Sequence, residues 1–132
     1  MSKTDRRPLE NAPATDRIRE RADNRLGAVY SALYSFWSAR HAAVTSGQQT
    51  ESIGARRDAY SVILFNATTK SVVVNDFTSS PDQLLDIVLN ETTERGTDFE
   101  AALQASQAVM EVNWSMERFV TLSFILFLLV PL

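Results

Sequence analysis

Two short apolar runs separated by a polar turn constrain the fold of this chain more than any other feature. Residues Ala59–Phe65 read A-Y-S-V-I-L-F, and residues Ser71–Phe77 read S-V-V-V-N-D-F. The residues between the two runs read N-A-T-T-K. Short runs rich in β-branched residues predict strands, and so brief a connection can join only antiparallel neighbours. The first run is almost continuously apolar, which is typical of a strand buried on both faces in a sheet covered by helices.

Further segments repeat apolar side chains every three or four residues, a spacing that predicts amphipathic helices. The first helix is predicted over residues 24–44, with Asp23 or Asn24 as its N-cap. A second helix is predicted from Pro81, and a third after Thr97. Helices that alternate with buried strands indicate an α/β protein built on a layered sheet.

Capping-box sequences precede both of the later helices. Ser80 can cap the helix that Pro81 begins, and Gln83 can reach back to the backbone of Ser80. Thr97 and Glu100 have the same spacing ahead of the third helix, whose apolar face is predicted to include Phe99, Ala102, Leu103, Val109 and Met110. We therefore expect the Thr97 hydroxyl to act as an N-cap.

The first 22 residues differ in composition from the rest of the chain. Residues 1–22 are charged and proline-containing, with Leu9 and Ile18 as their main large apolar side chains. A segment of this kind buries too little surface to offset its ordering entropy. We expect a charged, disordered tail over 1–22, with a short solvated helix over D-R-I-R-E-R as the alternative, and a domain over 23–132.

Composition excludes several classes of function. The 132 residues suffice for one domain and contain no Cys and a single His, His41, so thiolate zinc sites, disulfides and Cys nucleophiles are ruled out. A net charge of −3 with scattered arginines does not predict nucleic-acid binding. The chain has no Gly-rich phosphate loop and no G-x-S-x-G elbow, so we expect no enzyme. No apolar run follows Lys3, Arg6 and Arg7, so we expect no secretory signal and a cytoplasmic protein.

The ordered series D-A-Y-S-V-I-L-F-N, N-D-F-T, L-L-D-I-V-L and G-T-D-F-E-A-A-L resembles a von Willebrand factor type A domain. The resemblance covers residues 24–130, is strongest over 57–112, and is closer to the intracellular domains of fungi than to secreted ones. It implies an α/β fold: a partial doubly wound, Rossmann-like sheet with Ser71–Phe77 as an antiparallel edge strand and Val120–Val130 as the fourth strand.

The same resemblance implies a protein-interaction module with a metal-ion-dependent adhesion site for Mg²⁺. Of the ligands in that site only a Thr carries over, as Thr97. No D-x-S-x-S precedes the first helix, and the fourth strand runs into Leu129–Leu132 where the family has an acidic residue. The segment Asp76–Ser80 has the form D-x-T-x-S, but it precedes the wrong helix and Ser80 is better used as a cap. We therefore expect no cofactor in this chain, and Mg²⁺ follows from the resemblance alone.

The family's first strand is missing from residues 1–22, so we expect a partial domain that exposes the edge of Ala59–Phe65. Another chain could supply the missing strand, or the last strand could fill its place. The apolar run Phe119–Leu132 has a second interpretation as a membrane anchor, although a spanning helix needs about 20 apolar residues. The predicted function is thus a non-enzymatic protein-binding module, and the alternative is a small membrane-associated protein anchored by residues 119–132.

Overall fold

The computed structural model describes residues 7–46, 59–91 and 96–115. The predicted strand Val120–Val130 and the alternative membrane anchor Phe119–Leu132 lie outside these ranges. The described residues form a mixed α/β structure of four helices and one two-stranded antiparallel sheet. In chain order the elements are α1 (Thr15–Arg21), α2 (Arg25–Ser46), β1 (Tyr60–Phe65), β2 (Thr69–Asp76), α3 (Pro81–Leu89) and α4 (Phe99–Ser115).

Two compact units share these elements. The helical unit comprises Met1–Ala59 and Phe77–Glu91, and thus contains α1, α2 and α3. The hairpin unit comprises Tyr60–Asp76 and Thr92–Leu132, and thus contains β1, β2 and α4. Each unit is considered on its own below.

In the hairpin unit β1 and β2 pair antiparallel, which confirms the predicted hairpin. The turn is closed by Asn66, whose backbone N–H donates to the carbonyl oxygen of Thr68 at 2.9 Å. The Asn66 side-chain oxygen in turn accepts the backbone N–H of Thr68 at 2.7 Å. Asn favours turns because its side chain can bond to the backbone two residues further on.

The pairing of the two strands is regular near the turn and irregular at the open end. Ile63 lies opposite Ser71 and Phe65 opposite Thr69, whereas the register shifts twice between Tyr60 and Ile63. Asn75 has a positive φ of 48°, and its backbone N–H donates to Ser61 Oγ at 3.0 Å. Asn tolerates the left-handed region better than most residues, so its presence suits a bulged strand.

In the helical unit α2 begins where the sequence predicts. Asn24 is the N-cap, because its side-chain oxygen accepts the backbone N–H of Gly27 at 3.2 Å. A Cβ on Gly27 would overlap the carbonyl oxygen of Ala22 and lie 2.9 Å from Pro8 Cγ, so glycine permits this close approach. The buried face of the helix includes Leu26, Gly27, Tyr30, Ser31 and Trp37.

Helix α3 has the predicted capping box in full. The Gln83 backbone N–H donates to Ser80 Oγ at 3.3 Å, and the Ser80 N–H donates to Gln83 Oε1 at 2.8 Å. Pro81 occupies the first turn, where its missing N–H costs nothing. The apolar side chains of the helix, Leu84, Leu85, Val88 and Leu89, are all buried.

Helix α1 lies in the segment for which the sequence predicted a disordered tail. Within the described residues of that segment, Thr15–Arg21 is helical and Ile18 is 0% exposed. Thr15 Oγ1 lies 2.7 Å from the carbonyl oxygen of Leu9 and 2.6 Å from that of Ala12. The helix matches the alternative prediction of a short helix over D-R-I-R-E-R, but it is not solvated on all sides, because tertiary packing, which composition does not reveal, buries Ile18.

Candidate functional site

The loop Gly96–Asp98 packs tightly against the turn of the hairpin. The Asp98 backbone N–H donates to the carbonyl oxygen of Asn66 at 2.6 Å. Gly96 has a φ of 109°, and a Cβ at this position would lie 2.8 Å from Ala67 Cβ and 2.9 Å from Ala67 N. Only glycine satisfies both the backbone conformation and this close approach. The loop that contains Thr97, the candidate ligand, is thus held in one place by the hairpin.

Asp98, not Thr97, is the N-cap of α4. The Ala101 backbone N–H donates to Asp98 Oδ1 at 2.9 Å, and the Ala102 N–H donates to the Asp98 carbonyl oxygen at 3.2 Å. Glu100, the expected partner in a capping box, instead accepts a hydrogen bond from Gln104 at 3.3 Å. The predicted box of Thr97 and Glu100 is wrong because the helix begins at Phe99, which moves the capping position by one residue.

The Thr97 hydroxyl oxygen is buried, and it has no hydrogen-bond partner among the residues that the structure describes. A buried hydroxyl that makes no hydrogen bond costs about 1–3 kcal/mol relative to one that is paired. The described residues therefore do not use this oxygen, although they hold the backbone beside it in place. The interpretation of Thr97 as a metal ligand stays a prediction.

The described residues do not fit a Mg²⁺ site around Thr97. Mg²⁺ prefers octahedral oxygen coordination and usually takes carboxylate ligands. The nearest carboxylate in sequence, Asp98, already accepts the Ala101 N–H as a cap. Over residues 7–46, 59–91 and 96–115 there is no group of three or more His, Cys, Asp or Glu side chains that could hold a metal ion. The other D-x-T-x-S segment offers no substitute, because Ser80 Oγ is bound to the Gln83 N–H.

Beside the loop, the first turns of α4 present apolar side chains to solvent. The rings of Phe99 and Phe65 lie 5.5 Å apart at 57°, which fastens the start of α4 to the end of β1. Phe99 nevertheless remains 41% exposed, and Leu103 is 55% exposed. Because residues four apart share a helix face, these two side chains form one apolar patch, which we call the Phe99–Leu103 patch.

This patch was not predicted. The sequence placed both of its residues on the buried face of an amphipathic helix, but of that face Ala102 is the residue that the structure buries fully. The error has a simple cause, because helical periodicity identifies an apolar stripe without saying how wide a surface is available to cover it. The exposure of such a patch beside an ordered loop is the feature that binding surfaces share.

In the helical unit a charged cluster links all three helices. Arg17 of α1 forms ion pairs with Asp82, at 3.7 Å, and with Asp86 of α3. The Tyr34 hydroxyl of α2 donates to Asp82 Oδ1 at 3.0 Å. Partial burial and this hydrogen bond raise the pKa of Tyr34. These groups are on the surface and form ion pairs and a hydrogen bond with one another. We therefore interpret the cluster as a contact that holds the three helices together.

Two buried hydroxyls of α2, those of Tyr30 and Ser31, have no hydrogen-bond partner among the described residues. Tyr30 is 1% exposed, and burial, assisted by the negative charge of Glu91, raises the pKa of its phenol above the ordinary range. A phenol with a raised pKa is a weak acid at neutral pH and does not supply a base. The pair therefore suggests tight packing and no proton-transfer chemistry.

Comparisons with protein-family models, with curated proteins and with solved structures find no match to this chain. Among the described residues, no helix is both long enough and apolar enough to cross a membrane.

Proposed function

We propose that this chain is a protein-interaction module of the von Willebrand factor A type, which binds its partner without a complete metal-ion-dependent adhesion site. In this proposal the hairpin is the antiparallel edge of a partial doubly wound sheet, with β2 as the edge strand. The resemblance of residues 57–112 supports the fold assignment, and so does the antiparallel pairing of β1 with β2.

The observation that carries the proposal is the state of the Gly96–Asp98 loop. Gly96 lies so close to Ala67 that a larger residue would clash. The Asp98 N–H donates to the Asn66 carbonyl oxygen at 2.6 Å. These two contacts hold the loop on the hairpin turn. The hydroxyl of Thr97 nevertheless has no partner among the residues that the structure describes. A buried polar atom with no described partner in a firmly held loop calls for an explanation, and in this proposal binding supplies it.

The partner contact that we propose is the Phe99–Leu103 patch together with this loop. Large apolar anchors next to a rigid polar element are the common composition of an interaction hot spot. The ligand set for Mg²⁺ is incomplete in the described residues, so the apolar contact carries the affinity in this proposal. The partner is therefore a protein segment with an apolar side chain that packs against Leu103.

A matched pair of variants on α4 tests this surface. Leu103 is 55% exposed and Val112 is 51% exposed. Nine residues separate them on one helix, which places them about 180° apart around its axis. Leu103→Asp and Val112→Asp therefore add the same charge at equally exposed positions on opposite faces.

The experiment begins by selecting binding segments from a displayed library of protein fragments with the unaltered chain as bait. We expect Leu103→Asp to weaken the Kd of a selected segment at least about tenfold, as hot-spot changes do, and Val112→Asp to leave it within about twofold. Equal loss of binding in both variants, or a failure to select any segment, would overturn the proposal.

The role of metal is tested separately on the same selected segment. We expect a chelator to leave the Kd unchanged, and calorimetric titration of the chain alone with Mg²⁺ to give no heat of binding. Mg²⁺-dependent binding that is lost in Thr97→Ala but kept in Thr97→Ser would show a working adhesion site. That result would overturn the metal-independent part of the proposal while leaving the family assignment intact.

A further inference from the structure

The two strands of the hairpin have different outer edges, and β2 has the irregular one. Between Tyr60 and Ile63 the partners on β2 move from Asp76 to Val73 to Ser71, so β2 contributes an extra residue at each of the two register shifts. Bulges bend and twist a strand and thereby obstruct pairing on its outer side, which is how natural edge strands are protected. β2 also carries charged side chains, including Lys70, so it is built as an edge.

β1 has none of these protective features. Its sequence, Y-S-V-I-L-F, has no charge and no proline, and from Ile63 to Phe65 its register against β2 is unbroken. Among the described residues β2 is the one strand that pairs with it. An uncharged strand whose second edge has no partner among the described residues invites pairing, so β1 has the properties of an interior strand.

The direction of α4 indicates where a neighbouring strand could come from. The helix begins at the turn end of the hairpin, where Asp98 bonds to Asn66 and Phe99 contacts Phe65, and it packs against both strands. Its 17 residues span about 25 Å. The six residues of β1 span about 20 Å. Because the helix starts at the turn and packs against both strands, we expect it to run back towards the open end of the hairpin.

After α4 the sequence soon becomes apolar again. After Ser115 only residues 116–118 precede the segment 119–130, F-V-T-L-S-F-I-L-F-L-L-V, which has no charged side chain. A short connection of this kind is usual between a helix and the strand that follows it. A segment entering from the open end would run in the same direction as β1, as parallel neighbours do after a covering helix.

We infer that the open edge of β1 is the docking site for residues 119–130 of this same chain, which pair with it as a parallel strand. The inference uses the register of the hairpin, the course of α4 and the composition of the segment, and it holds whether or not the family assignment does. β1 offers six residues, so only about half of the segment pairs directly. The contact would complete a three-stranded sheet in the order β2, β1, segment.

Disulfide trapping tests the order of strands, because the chain has no cysteine of its own. Ile63→Cys on β1 is combined in turn with Thr121→Cys, Ser123→Cys and Ile125→Cys. The matched control replaces Ile63→Cys by Ser71→Cys, since Ser71 lies opposite Ile63 on β2. Two strand spacings of about 4.8 Å separate the control position from the segment, beyond the Cα distance of about 7 Å that a disulfide spans.

We expect mild oxidation to give an intramolecular cross-link with Ile63→Cys for at least one of these partners and none with Ser71→Cys. Mass spectrometry under non-reducing conditions identifies the bond. A cross-linked product of twice the chain mass would show that a second copy occupies the edge and would overturn the inference. A bond to Ser71→Cys, or no bond in any combination, would also overturn it. The same is true if the chain is recovered only with phosphatidylcholine vesicles, as a membrane anchor requires.

Hydrogen exchange on the unaltered chain provides a second measurement that needs no variant to fold. Successive backbone N–H groups of a strand point to opposite neighbours, so an edge strand protects only every second amide. We expect slow exchange at all amides from Val62 to Leu64. Alternating fast and slow exchange in the unaltered chain would overturn the inference. In Ser123→Pro, which cannot donate to a ladder, we expect the alternating pattern to appear.

Discussion

The described parts of the helical unit and the hairpin unit bury their large apolar side chains to different degrees. In the described part of the helical unit Leu9 and Phe77 are about half exposed, whereas a larger set of apolar side chains is almost completely buried: Ile18, Tyr30, Trp37, Leu84, Leu85 and Val88. In the described part of the hairpin unit full burial extends to Phe65, Val73 and Ala102, while Val74, Phe99, Leu103 and Val112 remain exposed. The described part of the first unit thus buries most of its large apolar side chains, whereas the described part of the second exposes more of them and also presents a strand edge.

This difference indicates where binding takes place. A unit that has already buried its apolar side chains gains little from a further contact, since the hydrophobic driving force scales with the area removed from water. Exposed apolar side chains retain that driving force for a later contact. Both proposals made above accordingly concern the hairpin unit, one on the face of α4 and the other on the edge of β1.

The largest effect that we expect is the difference in unfolding free energy between truncating a buried leucine of the helical unit and truncating an exposed leucine of the hairpin unit. Leu85→Ala removes a fully buried side chain and should lower the free energy of unfolding by about 2–5 kcal/mol. The same change at the exposed Leu103 should cost less than about 0.5 kcal/mol. Urea denaturation followed by Trp37 fluorescence, in a Trp114→Phe background, measures the first, and hydrogen exchange of α4 measures the second. Equal costs at the two positions would contradict the comparison.

A smaller effect is expected at the glycine of the candidate loop. Gly96→Ala places a Cβ within 2.8 Å of Ala67 at a φ of 109°, and should destabilise the hairpin unit by about 1–3 kcal/mol. Faster exchange of the Asp98 and Val73 amides, with the helices α2 and α3 unaffected, would show it. An unchanged exchange rate at Asp98 would mean that the loop is not held by this contact.

The sequence predicted Thr97 as the N-cap of α4, whereas the structure places the N-cap at Asp98. This difference gives a third prediction. Asp98→Ala should cost about 1 kcal/mol, because it removes the acceptor of the Ala101 N–H. Thr97→Val keeps the shape of the side chain and removes an unpaired hydroxyl, so it should be neutral within about 0.5 kcal/mol or slightly stabilising. Thermal unfolding of the two variants compares them directly, and the reverse order would restore Thr97 as the cap.

The smallest effect at neutral pH is expected for Tyr30→Phe in the helical unit. Burial raises the pKa of Tyr30, so the folded state keeps the phenol protonated where the unfolded chain, with a pKa of about 10, does not. The stability that depends on the neutral phenol is present in full below about pH 10 and is lost as the pH rises towards the folded pKa. The Phe variant should therefore have nearly unchanged stability at neutral pH and resist alkaline unfolding better.

An alkaline titration of the far-ultraviolet circular dichroism checks this last prediction. Tyr34→Phe is the control, since the Tyr34 hydroxyl donates to Asp82 and its side chain is less buried. We expect alkaline unfolding to move to higher pH in Tyr30→Phe by more than in the control. If the Tyr30 variant unfolds at the same pH as the unaltered chain, its phenol is not the group that titrates.

Local sequence signals predicted much of the described structure. The hairpin follows from two β-rich runs and an Asn-containing turn, because its hydrogen bonds close between residues near in sequence. The start of α3 follows from Ser80, Pro81 and Gln83 for the same reason. Each of these features depends on neighbours within a few positions along the chain.

Tertiary packing decided what the sequence could not. Ile18 is buried in a segment whose composition predicts disorder, because tertiary packing can cover a single apolar side chain. Helix α4 begins one residue later than predicted, so its cap is Asp98. The Thr97 hydroxyl has no partner among the described residues. The exposure of Leu103 likewise depends on how wide a surface the two strands offer. Local chemistry thus determined the elements, and long-range burial determined which of their side chains remain available for binding.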